Sequence, residues 1–331
     1  MKILIFSTVF YPLRGGIENL TLNLTQEFIE KGHEVKVIAQ QKQRAYLEGI
    51  DVYYEANALE IAKLFAWCDV YYMPNISLKG IWPLLMNPRK NWVISQNDFS
   101  LTNKTNFLSL LKLLMIKFST KNIAVSKSIA DSLRTKSEVV YNCYDNAVFK
   151  HINLVERTHD FVFVGRLVTQ KGCDTLIKAC RNLPKPFKVT IVGDGPELEN
   201  LKTLTASLNL TKQIAFVGTK SSEEIVEILN RHKTMVIPSN GKEGFGIVAL
   251  EGLACGCRVI AANAGGLSEA VGSFGRLFQS ENVLQLNQLL KEALLNTNQP
   301  NHSQEELKEY LSNFDKQAVA KKYLSIFDKA A

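Results

Sequence analysis

Three consecutive pieces of sequence decide the fold of this 331-residue chain: Met235-Val236-Ile237-Pro238, then Ser239-Asn240-Gly241-Lys242-Glu243-Gly244-Phe245-Gly246-Ile247-Val248-Ala249-Leu250-Glu251, then Arg258-Val259-Ile260-Ala261-Ala262. The first is a short apolar run and reads as a buried strand. The second is a glycine-rich loop that opens a helix over Gly246–Ala254. The third is another buried strand. Strand, helix and strand in that succession form a parallel crossover, because parallel strands need a helix-length connection.

The alternation extends in both directions. Strands are expected at Phe161–Gly165, Val189–Val192 and Ile214–Val217, with helices over Cys173–Arg181 and Glu197–Leu208. The first half repeats the architecture, with strands at Ile3–Ser7, Glu34–Ala39, Val52–Tyr54, Val70–Met73, Trp92–Ser95, Ile123–Val125 and Val139–Tyr141. Its first helix, Ile17–Lys31, places Ile17, Leu20, Leu24 and Phe28 one helical period apart and stops at Gly32. Terminal helices are expected over Asn282–Leu295 and Gln304–Phe327. The segment Asn146–Thr158 has no periodicity, which puts a domain boundary there. The expectation is an α/β protein of two doubly wound units.

Composition narrows the class. With 46% hydrophobic and 21% charged residues, a disordered chain, a collagen and a small disulfide scaffold are excluded. A net charge of +7 is too mild for a dedicated nucleic-acid binder. The cysteines Cys68, Cys143, Cys173, Cys180, Cys255 and Cys257 form no CxxC pair and have no histidine cluster beside them. They read as free thiols in a reducing cytosol rather than metal ligands. The apolar Ile3–Phe6 run lacks a small-residue cleavage site and enters a Gly15-Gly16 loop, so it reads as a first strand.

The chemistry-bearing residues stand where strands end. Phe163-Val164-Gly165-Arg166-Leu167 leads to Lys171-Gly172, two cations just past a strand. At the carboxyl edge of a parallel sheet they can reach a diphosphate. Val192-Gly193-Asp194-Gly195-Pro196 is half of a dinucleotide fingerprint, with Leu198 where the third glycine belongs. Glu243 and Glu251 lie eight positions apart, either side of a glycine-flanked helix start. The free N–H groups and dipole of such a start favour an anion.

Taken together these segments resemble the retaining glycosyltransferases of the GT-B fold, of the family 4 (group 1) type. The E-x7-E pair is Glu243 and Glu251; Arg258–Ala261 and Gly265-Gly266-Leu267-Ser268-Glu269 continue the pattern, and Gly15-Gly16-Ile17-Glu18 is similar to the family's glycine loop. The resemblance implies two Rossmann-like domains whose parallel sheets face a central cleft. It implies an acceptor-side domain over 1–148, a nucleotide-sugar domain over 149–310, and a C-terminal helix over 311–331 packing back on the first. It implies transfer from a UDP- or GDP-sugar to a glycan, lipid-linked or lipopolysaccharide-type acceptor, with no metal and no cofactor. The implied catalytic residues are Glu243, Arg166, Lys171, Asn97 and Asp98. The implied donor contacts are Gly15, Gly16, Gly165, Arg166, Lys171, Gly193, Gly244, Phe245, Gly246, Ile247 and Glu251. Asn97 departs from the family's histidine; an amide can bond a sugar hydroxyl but cannot titrate. That departure keeps a non-catalytic GT-B-like binding protein open, while a nicotinamide oxidoreductase would need the fingerprint glycine that is missing.

A membrane partner is expected from charge. Pro83–Lys136 holds nine basic residues against Asp98 and Asp131, and within it runs Phe107-Leu108-Ser109-Leu110-Leu111-Lys112-Leu113-Leu114-Met115-Ile116-Lys117-Phe118. A basic apolar helix suits an anionic lipid interface, placing the protein in the cytoplasm, peripheral on the membrane face.

Overall fold

The computed structural model describes residues 1–13, 15–101, 107–133, 135–153, 155–184, 186–295 and 302–330. Lys104 and Arg134, two of the nine basic residues noted above, lie outside the described residues. The chain forms two compact units, Met1–Cys143 with Asn313–Ala331, and Tyr144–Ser312.

The first unit runs β1 (Lys2–Ser7), α1 (Gly16–Glu30), β2 (Glu34–Ala39), β3 (Asp51–Tyr54), α2 (Ala58–Trp67), β4 (Val70–Pro74), α3 (Leu78–Ile81), β5 (Asn91–Gln96), α4 (Phe107–Ile116), β6 (Lys121–Ala124), α5 (Lys127–Leu133) and β7 (Glu138–Val139). All seven strands pair in parallel in the order β3-β2-β1-β4-β5-β6-β7. β1 is buried along nearly its whole length because helices cover both sides of the sheet. One side carries α1, whose Leu20, Leu24 and Phe28 meet Ile3, Ile5, Val37 and Tyr72.

The second unit runs β8 (His159–Val164), α6 (Cys173–Ala179), β9 (Val189–Val192), α7 (Leu198–Ser207), β10 (Ile214–Phe216), α8 (Ser222–Arg231), β11 (His232–Ile237), α9 (Ile247–Ala254), β12 (Arg258–Ala262), α10 (Leu267–Val271), β13 (Gly275–Phe278), α11 (Val283–Leu294) and α12 (Gln304–Ser312). Its parallel sheet has the order β10-β9-β8-β11-β12-β13. Both sheets therefore reverse direction beside their first strand, between β1 and β4 and between β8 and β11. At such a switch point neighbouring crossovers leave on opposite faces and open a crevice at the carboxyl ends of the strands.

The expected helix Gln304–Phe327 is two helices. α12 stops at Ser312, and α13 (Lys316–Asp328) starts after Asp315. α13 packs on α1 in the first unit, with Val319, Tyr323 and Phe327 in that unit's core. All six cysteines are buried and unbridged.

α4 is folded against its own composition. Ser109 and Ile116 face inward, while Phe107, Leu110 and Leu114 stand 77%, 58% and 50% exposed. These three, with exposed Phe118 just past the helix, recur every three or four residues, so they form one outward stripe.

Candidate functional site

In the second unit the loops after β8, β9 and β11 are locked together by backbone contacts that only glycine permits. Gly165 N donates to Val192 O at 3.0 Å, and Leu167 N to Asp194 O at 2.8 Å. A Cβ on Gly193, whose φ is +130°, would lie 2.0 Å from Gly165 O; one on Gly172, φ +64°, would lie 1.9 Å from Pro238 O. The glycines are there for close approach, and the strand ends are held rigid by it. Asn240 N and Gly241 N both donate to Gln170 O, tying the loop after β11 to the turn that carries Lys171.

This brings Lys171 and Glu243 together across 72 residues of sequence. Lys171 Nζ donates to Glu243 Oε1 at 2.7 Å, and Ser239 Oγ donates to the same oxygen at 2.6 Å. The Glu243 main chain bridges to Gly265, and Gly266 N donates to Glu243 O at 2.8 Å. A carboxylate held by an ammonium, a hydroxyl and its own backbone is oriented before any ligand arrives. Arg166 projects from the loop after β8, exposed, its guanidinium without a partner among the described residues.

α9 begins directly after this cluster. Gly246 sits in the left-handed region at φ +97°, so the first turn of α9 has no side-chain cap; Ala249 N turns back to Gly246 O at 2.9 Å, which leaves the amides of Ile247 and Val248 at the helix start. Phe245 is 2% exposed: its ring anchors the loop, which leaves only its main chain to face a ligand. Glu251 follows within α9. Burial, and second the negative charge of Asp145, push its carboxyl up to about 7. Its carboxylate makes no hydrogen bond among the described residues.

The first unit's strand ends carry a different chemistry. Asn97 and Asp98 follow β5, and both are tied to Asn75, which follows β4 in a left-handed turn at φ +73°. Asn97 N donates to Asn75 Oδ1 at 2.7 Å, and Asn75 Nδ2 donates to Asp98 Oδ2 at 3.1 Å. Asn97 Nδ2 donates to Ser95 Oγ at 3.1 Å, while its buried Oδ1 has no partner. Gly15 and Gly16 precede and open α1; the Glu18 carboxylate folds over Gly15, where an added Cβ would meet it at 2.5 Å. Asn75, Ser239 and Asp145 were not among the expected site residues. Ser239 lies inside the segment first quoted, four residues before Glu243, whereas Asn75 has no local signature. Among the described residues no group of three or more His, Cys, Asp or Glu side chains is placed to hold a metal ion, and no helix is long and apolar enough to cross a membrane.

Comparison with known proteins bears on these strand ends. The family described as glycosyl transferases group 1 matches residues 145–312, the second unit almost end to end. An uncharacterized glycosyltransferase of Methanocaldococcus jannaschii is 36% identical over 185 residues, covering 54% of this chain and 50% of that protein. The chain thus spans about half the length of that relative. The gpi3 subunit of phosphatidylinositol N-acetylglucosaminyltransferase from Schizosaccharomyces pombe is 26% identical over 320 residues, 81% of this chain and 67% of its own. Among solved structures, Anabaena HepE in complex with UDP and glucose superposes with a TM-score of 0.82 at 20% identity, covering 99% of this chain and 100% of that one. The fold is that of the GT-B glycosyltransferases.

Proposed function

The chain belongs to the group 1 glycosyl transferases, and on that premise we propose that it moves a sugar from a UDP- or GDP-sugar to an acceptor hydroxyl with the anomeric configuration retained. The observation that carries this reading is the Lys171–Glu243–Ser239 cluster set beside the uncapped start of α9. As the glycosidic bond to the diphosphate breaks, negative charge grows on the leaving group. Arg166, Lys171 and the amides of Gly244–Ile247 supply fixed positive charge and donors for it, and preorganised donors of this kind account for a large part of catalysis. Neutralisation comes from these groups rather than from a metal. Glu243, already oriented, contacts the donor sugar, and Glu251 accepts from the ribose hydroxyls. No side chain in the cluster is a free nucleophile, so the acceptor oxygen attacks from the face the diphosphate leaves.

The acceptor is a lipid-linked or lipopolysaccharide-type glycan, met at the cytoplasmic face of an anionic membrane. The outward stripe of α4 supports this, as does the phosphatidylinositol substrate named for the fission-yeast relative. Asn97 and Asp98, held by Asn75 at the end of β5, are the acceptor-side polar groups. Incubation with a panel of UDP- and GDP-sugars, following nucleotide release with and without EDTA, tests the donor half. Release from at least one donor, unaffected by EDTA, is the expected result. No release from any donor, or rescue of a chelated enzyme by magnesium or manganese, overturns it.

A further inference from the structure

α4 ends in a groove. Ile116, Lys117, Ser119, Thr120, Lys121, Asn122, Thr135, Lys136 and Glu138 surround a volume of about 500 Å³ at the amino-terminal edge of β6 and β7. Three of these side chains are lysines and one is a glutamate. Lys121 is partly neutralised by Glu138 at 3.2 Å, but the ammonium groups of Lys117 and Lys136 have no partner among the described residues. Asn122 is 7% exposed; its Nδ2 reaches Ser137 Oγ at 2.7 Å, and its Oδ1 has no partner. The groove therefore holds unspent positive charge on two lysines that no described carboxylate neutralises, above a side chain, Asn122, that is closed off from solvent.

The groove adjoins the outward stripe. Phe107, Leu110, Leu114 and Phe118 run along α4 toward it. Exposed Leu85 and Met86 lie in the connection from β4 to β5. That connection and the one from β5 to β6 step the same way across the sheet, so right-handed crossovers put both on one face. An apolar stripe that ends in an unpaired basic groove matches the order of chemistry across a lipid leaflet, acyl chain first and phosphate next.

We infer that this groove is a headgroup site for an anionic phospholipid, with the phosphate between Lys117 and Lys136 while the α4 stripe enters the acyl layer. The inference rests on the membrane reading above and adds a specific seat to it. The lysines reach the phosphate oxygens, and phosphatidylglycerol serves as the anionic headgroup in the test.

Co-sedimentation of the full chain with phosphatidylcholine vesicles, with and without phosphatidylglycerol, tests it. A nearby basic residue shifts partitioning by roughly fivefold, from about 1 kcal/mol each. Lys117→Glu with Lys136→Glu is therefore expected to weaken binding to the phosphatidylglycerol vesicles at least tenfold. Lys31→Glu with Lys42→Glu, exposed lysines of the same unit away from the groove, is expected to change it less than threefold. Equal losses in the two double variants mean diffuse attraction and overturn the headgroup site while leaving membrane binding intact. Failure of the unaltered chain to sediment with anionic vesicles overturns the membrane reading itself, and the groove with it. Both double variants keep full nucleotide release from the soluble donor, since none of these lysines belongs to the donor cluster. Glycerol phosphate that protects Lys136 from acylation as well as the vesicles do makes the site one for a free phosphoester and also overturns the inference.

Discussion

The two units wind the same way, each with its first strand in the middle and its switch point beside that strand, yet they finish their strands differently. The second closes its strand ends with glycines that a Cβ would wreck, then sets an ion pair and a helix start on that rigid edge. The first closes β4 and β5 with an amide clamp, Asn75 to Asn97 and Asp98, and turns an apolar helix stripe outward. Topology tells where a ligand can sit; only the residues at the strand ends tell which ligand. On that difference rests the proposal that the second unit is the donor side and the first the acceptor side.

The sharpest way to break the comparison is Glu243→Gln. It keeps shape and removes charge, and turnover is expected to fall by roughly two to three powers of ten, the scale of losing one preorganised transition-state contact. Arg166→Ala is expected to fall in the same range. Turnover within twofold of the unaltered enzyme for both would move the donor site elsewhere. Next in size is Gly193→Ala. Its Cβ would sit 2.0 Å from Gly165 O at a φ of +130°, and a loss of about 2–4 kcal/mol in urea unfolding is expected. Gly16→Ala in the first unit has nothing within 4 Å of the new Cβ, and is expected to leave stability almost unchanged.

Glu251 offers a test by pH. Its carboxyl lies at about 7 in the folded chain against an ordinary 4.5. Because the folded value is raised, the unfolded chain gives up this proton first. The group's contribution to stability is therefore present below pH 4.5 and lost as pH rises through 7. Ribose hydroxyls donate best to the charged form, so nucleotide affinity measured by calorimetry is expected to rise severalfold from pH 6 to pH 8. In Glu251→Gln that rise should vanish, with affinity down roughly tenfold, on the scale of a hydrogen bond to a charged group. A pH dependence that persists in the variant assigns it to another group. The smallest effect is expected at Asn97→Ala, about threefold to tenfold in acceptor KM with nucleotide release from the donor alone unchanged, in keeping with one neutral hydrogen bond. A loss in donor hydrolysis as large as that of Glu243→Gln would erase the division of labour between the units.

The second unit was the more legible of the two because its constraints are local. Gly165-Arg166 and Gly193-Asp194-Gly195 each sit within one loop, Glu243 to Glu251 spans one loop and the helix it opens, and glycine spacing reports close approach directly. The Lys171–Glu243 pair could not be read as a pair, since 72 residues separate its members. Asn75 was invisible for the same reason: its partners lie 22 and 23 residues on. β13 went unread because Arg276 and Leu277 at its centre are exposed, so it lacks the apolar run of a buried strand. α8 did carry signals that went unread, the reciprocal Ser221 and Glu224 cap and the apolar Ile225, Val226, Ile228 and Leu229 at helical spacing. α4 had the opposite problem. Its residues are apolar on nearly every side, and only the fold shows that Ser109 is turned inward together with Ile116.

α13 has a further consequence, for the order in which the protein is made. The core of the first unit, begun by Ile3 and Ile5, is not filled until Val319, Tyr323 and Phe327 arrive, and Asn91 Nδ2 waits for Phe327 O as a partner at 3.1 Å. The second unit draws every one of its strands from a continuous stretch, so on the ribosome it can finish folding first although it is translated second. The first unit must stay open, with an apolar slot along α1, for as long as synthesis of everything downstream takes. A chaperone that recognises that slot has the whole of that interval in which to bind.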